Sequence, residues 1–405
     1  MNILMLAHKM PYPPNDGGTI ATLSMAKAIA GLGNKVTMLA MNTYKHNFKV
    51  SDIPSDLSKL IEFYTVEVDT KIKSPELLFN LLFSRLPYNA KRFISASYKN
   101  KLIELLSNNT FDVVQLEGLY LYPYISVIRK YFKGKISFRA HNIEHEIWAR
   151  TVKNYPSGPK KWYLKLLTKR MRKFEISSMN KFDLLIPITE RDGYVFEFLG
   201  NNAPRCVAPV GIEPEDYTYH IKDAIKPEIA FIGSLDWGPN QEGIDWFLKK
   251  VWPEILKHRP DAKFHIAGRN APKNYEFTVK KQNVVFHGEV ENAMEYLDKF
   301  TFMVVPLLSG SGMRVKIIEG MAKGKVVFTT AIGAEGINAE HSNNIFIENN
   351  PDKFAKTIVQ VMSDSTLSKS VSANASKFIR DNFSNQQIAK RLMQFYQTHI
   401  NNGVK

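Results

Sequence analysis

Short, wholly apolar runs return along this chain at intervals long enough to hold a helix, and that alternation leaves few folds open. The first run is residues 2–7, NILMLA. A Pro/Gly loop at 11–18 follows. Next comes a segment from Thr19 to about Gly31 with Ile20, Leu23, Ala26 and Ala30 on one side, then a second run at 35–40. Such all-apolar runs suit a parallel sheet covered by helices on both faces, and strand–loop–helix–strand is the unit that builds one. Comparable runs at 63–68, 112–116, 135–139, 183–187 and 205–210 extend the series. Residues 74–106 interrupt it as a helical insertion rich in Leu and Phe that also carries Arg85, Lys91 and Arg92.

Residues 211–227 are polar and punctuated by proline, which marks a domain boundary. A second series then begins. Residues 229–232 read as a strand and 233–239, opening on Gly233, as a loop. Asn240 can cap a helix whose stripe is Ile244, Phe247, Leu248, Val251, Trp252 and Ile255. Strands at 263–267, 284–287 and 345–347 and helices at 352–362, 367–383 and 386–400 complete the series. The expected organisation is a domain at 1–210, a linker at 211–227, a second domain at 228–385 and a last helix within 386–405. A chain of 405 residues accommodates two such domains.

Within the second series, residues 304–330 carry most of the chemistry. Val304 and Val305 close an apolar run, and Ser309, Gly310, Ser311 and Gly312 make a loop with little side chain in the way. A helix with Val315, Ile318 and Ala322 at helical spacing follows, ended by Gly324. Arg314 and Lys316 stand at its start, where the helix dipole is already positive. Two residues apart, they cannot share a helical face, so at least one belongs to the loop. Cations set against the dipole, beside glycine-exposed backbone N–H groups, make a diphosphate cradle. Gly17 and Gly18, beyond the first strand, likewise allow a ligand to approach the backbone.

The formal net charge of +15 points to an anionic partner or surroundings: nucleic acid, phosphorylated metabolites or anionic lipid. No zinc finger, RRM or helix-turn-helix pattern supports nucleic acid. The single cysteine, Cys206, excludes an internal disulfide framework and suits a reducing compartment. No apolar stretch reaches membrane-spanning length and the opening run is too short for a signal peptide, so a cytoplasmic protein is expected, at most peripheral to a membrane. Residues 153–173 interleave basic side chains with Trp162, Tyr163, Leu164, Leu166, Leu167 and Met171. Two readings stay open there: attraction to an anionic membrane surface, or a helix with one packed side and one solvated basic side.

No dinucleotide GxGxxG follows a strand, and residues 320–325 only approximate a P-loop, with the wrong spacing. Residues 141–145, HNIEH, match the H-x-x-E-H pattern of a zinc peptidase. That chemistry needs His141 and His145 on one helix face and a third ligand. His141, however, directly follows the strand KISFRA, where it can serve as a hydrogen-bonding or polarising group, and His145 can equally be a structural histidine at the next helix.

The chain resembles glycosyltransferase family 4. The likeness covers nearly the whole length: the opening strand with PYPPNDGG, HNIEHEIW at a strand end, FIGSLDWGPNQEGIDWF, FHIAGR, VVFHGEV and VVPLLSGSGMRVKIIEGMAKGKVVFTT. The resemblance implies the GT-B fold: two doubly wound, Rossmann-like α/β domains facing across a cleft, with the last helix crossing back to the first domain. It implies a retaining transfer from a nucleotide-sugar donor to a glycan or lipid-linked acceptor of cell-surface polysaccharide, with no metal or other cofactor. By motif position, Glu319 matches the second glutamate of E-x7-E, which binds the ribose, while Ser311 stands where the first would fall. Arg314 and Lys316 match the basic pair that holds the diphosphate. His141 matches the histidine near the donor sugar, and Gly17 and Gly18 the loop over the diphosphate. The loop around Gly288, Glu289 and Val290 is where the base would sit.

The set is chemically coherent. Breaking a sugar–phosphate bond develops charge on the leaving diphosphate, which two cations and a helix start can stabilise without metal. The competing readings are a sugar-nucleotide epimerase on the same scaffold, which would need an acid/base pair, the zinc peptidase, and a non-catalytic basic protein that binds nucleic acid or lipid with steep salt dependence.

Overall fold

The computed structural model describes residues 1–219, 226–310 and 313–401, which form two compact units. The first comprises Met1–Gly211 and Asn385–Lys405, the second Ile212–Ser384.

The first unit is built on six strands: β1 (Asn2–Ala7), β2 (Lys35–Asn42), β3 (Ile61–Glu67), β4 (Val113–Glu117), β5 (Lys135–Ala140) and β6 (Leu184–Pro187). They lie in the order β3-β2-β1-β4-β5-β6 and every pairing is parallel. Alternate residues of one strand feed opposite cores, as the pleat requires: Leu4 and Leu6 join one cluster, Ile3 and Met5 the other. The second cluster is covered in part by Ile388, Ala389, Leu392, Met393 and Tyr396 of the last helix, Asn385–Asn401. That helix therefore returns to the first unit, and its Tyr396 hydroxyl donates to the Gln115 side-chain oxygen at 2.6 Å and bonds the Ser137 hydroxyl at 2.7 Å.

The second unit repeats the plan with β7 (Glu228–Ile232), β8 (Lys263–Ala267), β9 (Val284–Gly288), β10 (Phe302–Val305), β11 (Val326–Thr329) and β12 (Phe346–Ile347). The order is β12-β11-β10-β7-β8-β9, again all parallel. Each face has its own core, around Trp252 and Phe264 on one side and around Met303 and Met321 on the other. Ile212 and Tyr217 already belong to this second core, and residues 220–225 of the expected linker lie outside the described residues.

The structure differs from expectation at three places. Residues 205–210 are not a sheet strand. Only Arg205 bridges Leu185, with the Cys206 and Ala208 N–H groups bonding the carbonyls of Leu185 and Pro187; Pro204 and Pro209 lack the N–H that a longer ladder needs. The first helix starts at Gly17, so Gly17 and Gly18 are its first turn, capped by Asp16, whose carboxylate accepts from the Thr19 N–H at 2.9 Å. Asn240 does not cap its helix, Gly238–Trp246, but sits in the first turn and turns its side chain inward.

Candidate functional site

In a doubly wound sheet, ligands bind beyond the carboxyl ends of the strands where the strand order reverses. The first sheet reverses between β1 and β4. A cavity of about 160 Å³ opens there, lined by His8 and Lys9 after β1, Gly118 and Leu119 after β4, His141, Asn142 and Glu144 after β5, and Gly18 of the first helix.

Beneath it lies Glu117, only 1% exposed. Its carboxylate accepts from His141 Nε2 at 2.7 Å, Thr22 Oγ1 at 3.1 Å and Arg139 Nη1 at 3.3 Å, and from the Gln115 amide. Burial alone would raise its pKa, but the Arg139 guanidinium and the His141 ring outweigh that and hold it down at about 2. With Nε2–H given to this carboxylate, the tautomer and orientation of His141 are fixed. His8 is kept neutral, its pKa lowered to about 3 by burial and by Lys9, and its Nδ1 meets the Glu117 carbonyl at 3.0 Å. Lys9 pairs with Asp16 at 2.6 Å, and His46 meets the same carboxylate at 2.8 Å.

Glu144 is the unusual acid of the cavity. Burial and the nearby Glu175 raise its pKa to about 7, and the Tyr120 hydroxyl donates to it at 2.9 Å. Glu175 itself is fully buried and accepts from the backbone N–H groups of Glu144 and His145 and from His145 Nδ1 at 2.6 Å. It thus closes the start of helix Glu144–Asn154. This corrects the zinc-peptidase reading. His141 and His145 are each bound to a different buried carboxylate, and no group of three His, Cys, Asp or Glu among the described residues is placed to hold a metal ion. His145 is the structural histidine.

The second sheet reverses between β7 and β10, and there Gly233, Arg314 and Lys316 gather. Gly233 directly follows β7. A Cβ on Gly268 would run into the Gly233 carbonyl, so that glycine is required by close approach, whereas a Cβ on Gly233 would lie 2.8 Å from Lys316 Nζ, the end of a side chain that would have to shift. Lys316 donates to the Asn240 side chain at 2.9 Å and the Ile232 carbonyl at 3.3 Å, with its ammonium 4.5 Å from the centre of the Phe231 ring. Burial and the neighbouring Arg314 lower its pKa to about 7. Arg314, 5% exposed, is the N-cap residue of helix Val315–Ala322. No side chain caps that helix and its first turn holds no acid among the described residues. Two cations thus crowd a positive helix end.

One turn on, Glu319 accepts from the Tyr217 hydroxyl at 3.1 Å, and burial raises its pKa. Glu289 is exposed in the loop after the edge strand β9, two strands away from β7. Ser311 and Gly312 lie outside the described residues. Gly17, Gly18 and His141 belong to the first unit, the remaining candidates to the second.

Sequence reading missed Glu117, Arg139 and Glu175, and met Glu144 and Asn240 only as part of the HNIEH pattern and as a helix cap. A signal existed for two of them: Glu117 and Arg139 are full charges inside the otherwise apolar strands VVQLE and KISFRA, and a charge in a buried strand needs a partner.

Comparison with known proteins is consistent with this arrangement. Residues 226–364 match the family model described as glycosyl transferases group 1. An uncharacterized 44.6 kDa protein in the cps region of Klebsiella pneumoniae is 26% identical over 397 residues, covering 95% of this chain and 97% of its own. Among solved structures, sucrose-phosphate synthase from Thermosynechococcus elongatus superposes with a TM-score of 0.71 at 16% identity, over 99% of this chain and 100% of that one. Anabaena HepE in complex with UDP gives 0.69 at 14% identity, over 98% and 100%. These structural likenesses concern the fold, which is GT-B.

Proposed function

We propose that the chain is a group 1 glycosyltransferase that moves a sugar from a nucleotide-sugar donor to a glycan or lipid-linked acceptor in polysaccharide biosynthesis, with retention at the anomeric carbon and without a metal. The observation that carries the donor assignment is the pair Arg314 and Lys316 at a helix start with no side-chain cap among the described residues, on the switch point of the second sheet. The lowered pKa of Lys316 is that of a cation awaiting an anion.

In this reading the diphosphate lies against the first-turn N–H groups with the two cations beside it. As the sugar–phosphate bond lengthens, charge builds on the leaving oxygen, where these donors stabilise it. The acceptor hydroxyl attacks on the face the diphosphate leaves, and the diphosphate takes its proton, so no protein nucleophile is needed. Glu319 serves the ribose, and Gly233 and the loop around Glu289 the nucleoside; in the first unit, His141, locked by Glu117, is the candidate for the donor sugar, and Gly17 and Gly18 for a phosphate. HepE, solved with UDP, makes uridine nucleotides the first ligands to test, and the relative in a cps region favours a cell-surface polysaccharide as product. The group 1 match favours transfer over the epimerase alternative.

The test is thermal shift and titration calorimetry with nucleoside diphosphates and their sugar conjugates. A ligand at 100 times its dissociation constant adds about 2.7 kcal/mol of stability. Arg314→Ala is expected to lower the transfer rate about 10²-fold or more; unchanged turnover in that variant would remove the diphosphate role.

A further inference from the structure

Helix Ser74–Phe83 is turned inside out for a soluble surface. Leu78, Phe79, Leu82 and Phe83 form one exposed stripe, with Leu82 65% and Phe83 73% exposed, and Ile72 continues it just before the helix. The face toward the protein carries Asn80, which is buried and donates to the Leu86 carbonyl. The helix is firmly seated. The Arg170 guanidinium donates to the Asn80 and Leu81 carbonyls at 3.1 and 2.8 Å, and the Lys73 N–H donates to the Tyr88 hydroxyl at 3.1 Å. The apolar stripe is therefore held toward solvent by the structure and is not a frayed end. Isolated exposed apolar residues need no explanation; a contiguous set of five marks a contact surface.

The charges around it decide what it contacts. Lys91 lies 5.6 Å from the Phe79 ring centre, and Lys71, Lys73 and Arg85 flank the helix. The acids nearby, Asp69 and Glu76, both pair with Lys73. The neighbouring helix Pro159–Ser178, which supplies Arg170, holds seven Lys and Arg against one acid, Glu175, and that acid is buried on His145. Leu164, Leu167 and Met171 of the same helix are packed inward, so its basic side faces solvent with Trp162 exposed among the cations. Lysine is depleted at protein–protein interfaces relative to the rest of a surface. An apolar stripe whose rim carries cations in excess, its two acids both paired with Lys73, on a helix lying in the surface, is the pattern of an interfacial helix on an anionic bilayer.

We propose that helix Ser74–Phe83 docks the first unit on an anionic lipid surface, inserting Leu78, Phe79, Leu82 and Phe83 at the headgroup boundary while the lysines and arginines around it meet lipid phosphates. This goes beyond the donor assignment and does not rest on it. It also moves the main contact from residues 153–173 to a different element, with the basic helix as its electrostatic flank.

The experiment uses the full chain and phosphatidylcholine vesicles with and without phosphatidylglycerol. The chain is expected to sediment with the anionic vesicles and to be released as salt rises. The double substitution Phe79→Ser and Phe83→Ser is expected to weaken that binding at least about tenfold. Both positions are exposed, so the variant should keep its melting temperature and its thermal shift with nucleoside diphosphates. Failure here with an intact nucleotide shift therefore sinks the docking surface alone. Equal binding to uncharged vesicles overturns the proposal, as does wild-type binding by the double variant. So does a larger species in solution that the double variant disperses while no vesicle is bound.

Discussion

Raising the pH from 7 to 9 is expected to weaken donor binding about 50-fold, and the effect should run through one side chain. In the unliganded protein Lys316 titrates near 7, because burial and Arg314 disfavour its charge. A bound diphosphate supplies the missing anion and returns the ammonium to its ordinary range, near 10.5. Binding then includes the uptake of a proton whenever Lys316 starts neutral. The fraction already protonated falls from one half at pH 7 to about one hundredth at pH 9, and affinity falls with it. The nucleotide adds little to this slope, because a terminal phosphate titrates near 6, below the window. Calorimetry with a nucleoside diphosphate in buffers of different ionisation heat measures both the affinity and the proton taken up. Lys316→Arg should keep the charge and flatten the profile between pH 7 and 9, and Lys316→Met should flatten it at low affinity. A wild-type profile that stays flat, or an equally steep one in Lys316→Arg, refutes the argument. The same group has a stability signature. Its folded pKa is lowered, so the unfolded chain binds more protons between about 7 and 10.5, and its contribution to the stability of the unliganded protein rises with pH across that window.

Glu117 works in the opposite pH range. Its folded pKa of about 2 lies below the ordinary value of 4.5, so it contributes about 3 kcal/mol that is fully present above pH 4.5 and lost as pH falls toward 2. Glu117→Gln leaves Arg139 buried without its carboxylate and should cost about 3–5 kcal/mol in urea unfolding at pH 7, with the gap to wild type closing near pH 2; an unchanged midpoint would show that the buried pair is not stabilising. Tyr396→Phe removes the hydroxyl bonded to Gln115 and Ser137 and should cost about 1–2 kcal/mol in the same assay, whereas a neutral result would mean that the last helix is held by its apolar face alone. Gly268→Ala forces a methyl against the Gly233 carbonyl and should destabilise the protein and weaken nucleotide binding together, both read by thermal shift with and without nucleotide.

The central strands were legible because each is apolar on both faces: NILMLA, KVTMLAMN and FMVV announce themselves without neighbours. Residues 205–210 share that composition, but an apolar run does not reveal whether its N–H groups find a ladder, and two prolines deny it one. The cations at the second switch point were legible because Arg314 and Lys316 contradict the dipole of their own helix, a conflict visible within a few residues of sequence. The network under the first cavity was not. Glu117 meets Arg139 and His141 across adjacent strands more than twenty residues apart, and Glu144 owes its raised pKa to burial and to Glu175 on another helix. Pairings of that kind exist only once the sheet order is fixed. The return of Asn385–Asn401 to the first unit was equally beyond periodicity, which shows that a helix has an apolar face but not which core receives it.

That return has an architectural corollary. The Ile212 N–H donates to the Phe383 carbonyl at 2.8 Å, and Ile212 bridges Ser384. The polypeptide therefore enters and leaves its second half at a single doorway. Residues 212–384 are in effect a cassette spliced into the first half, and a graft between two chains of this fold could be made with paired cuts at that one seam. A stop codon shortly after Ser384 would spare the cassette itself and instead strip a wall from the older-numbered half, exposing the apolar side of its sheet.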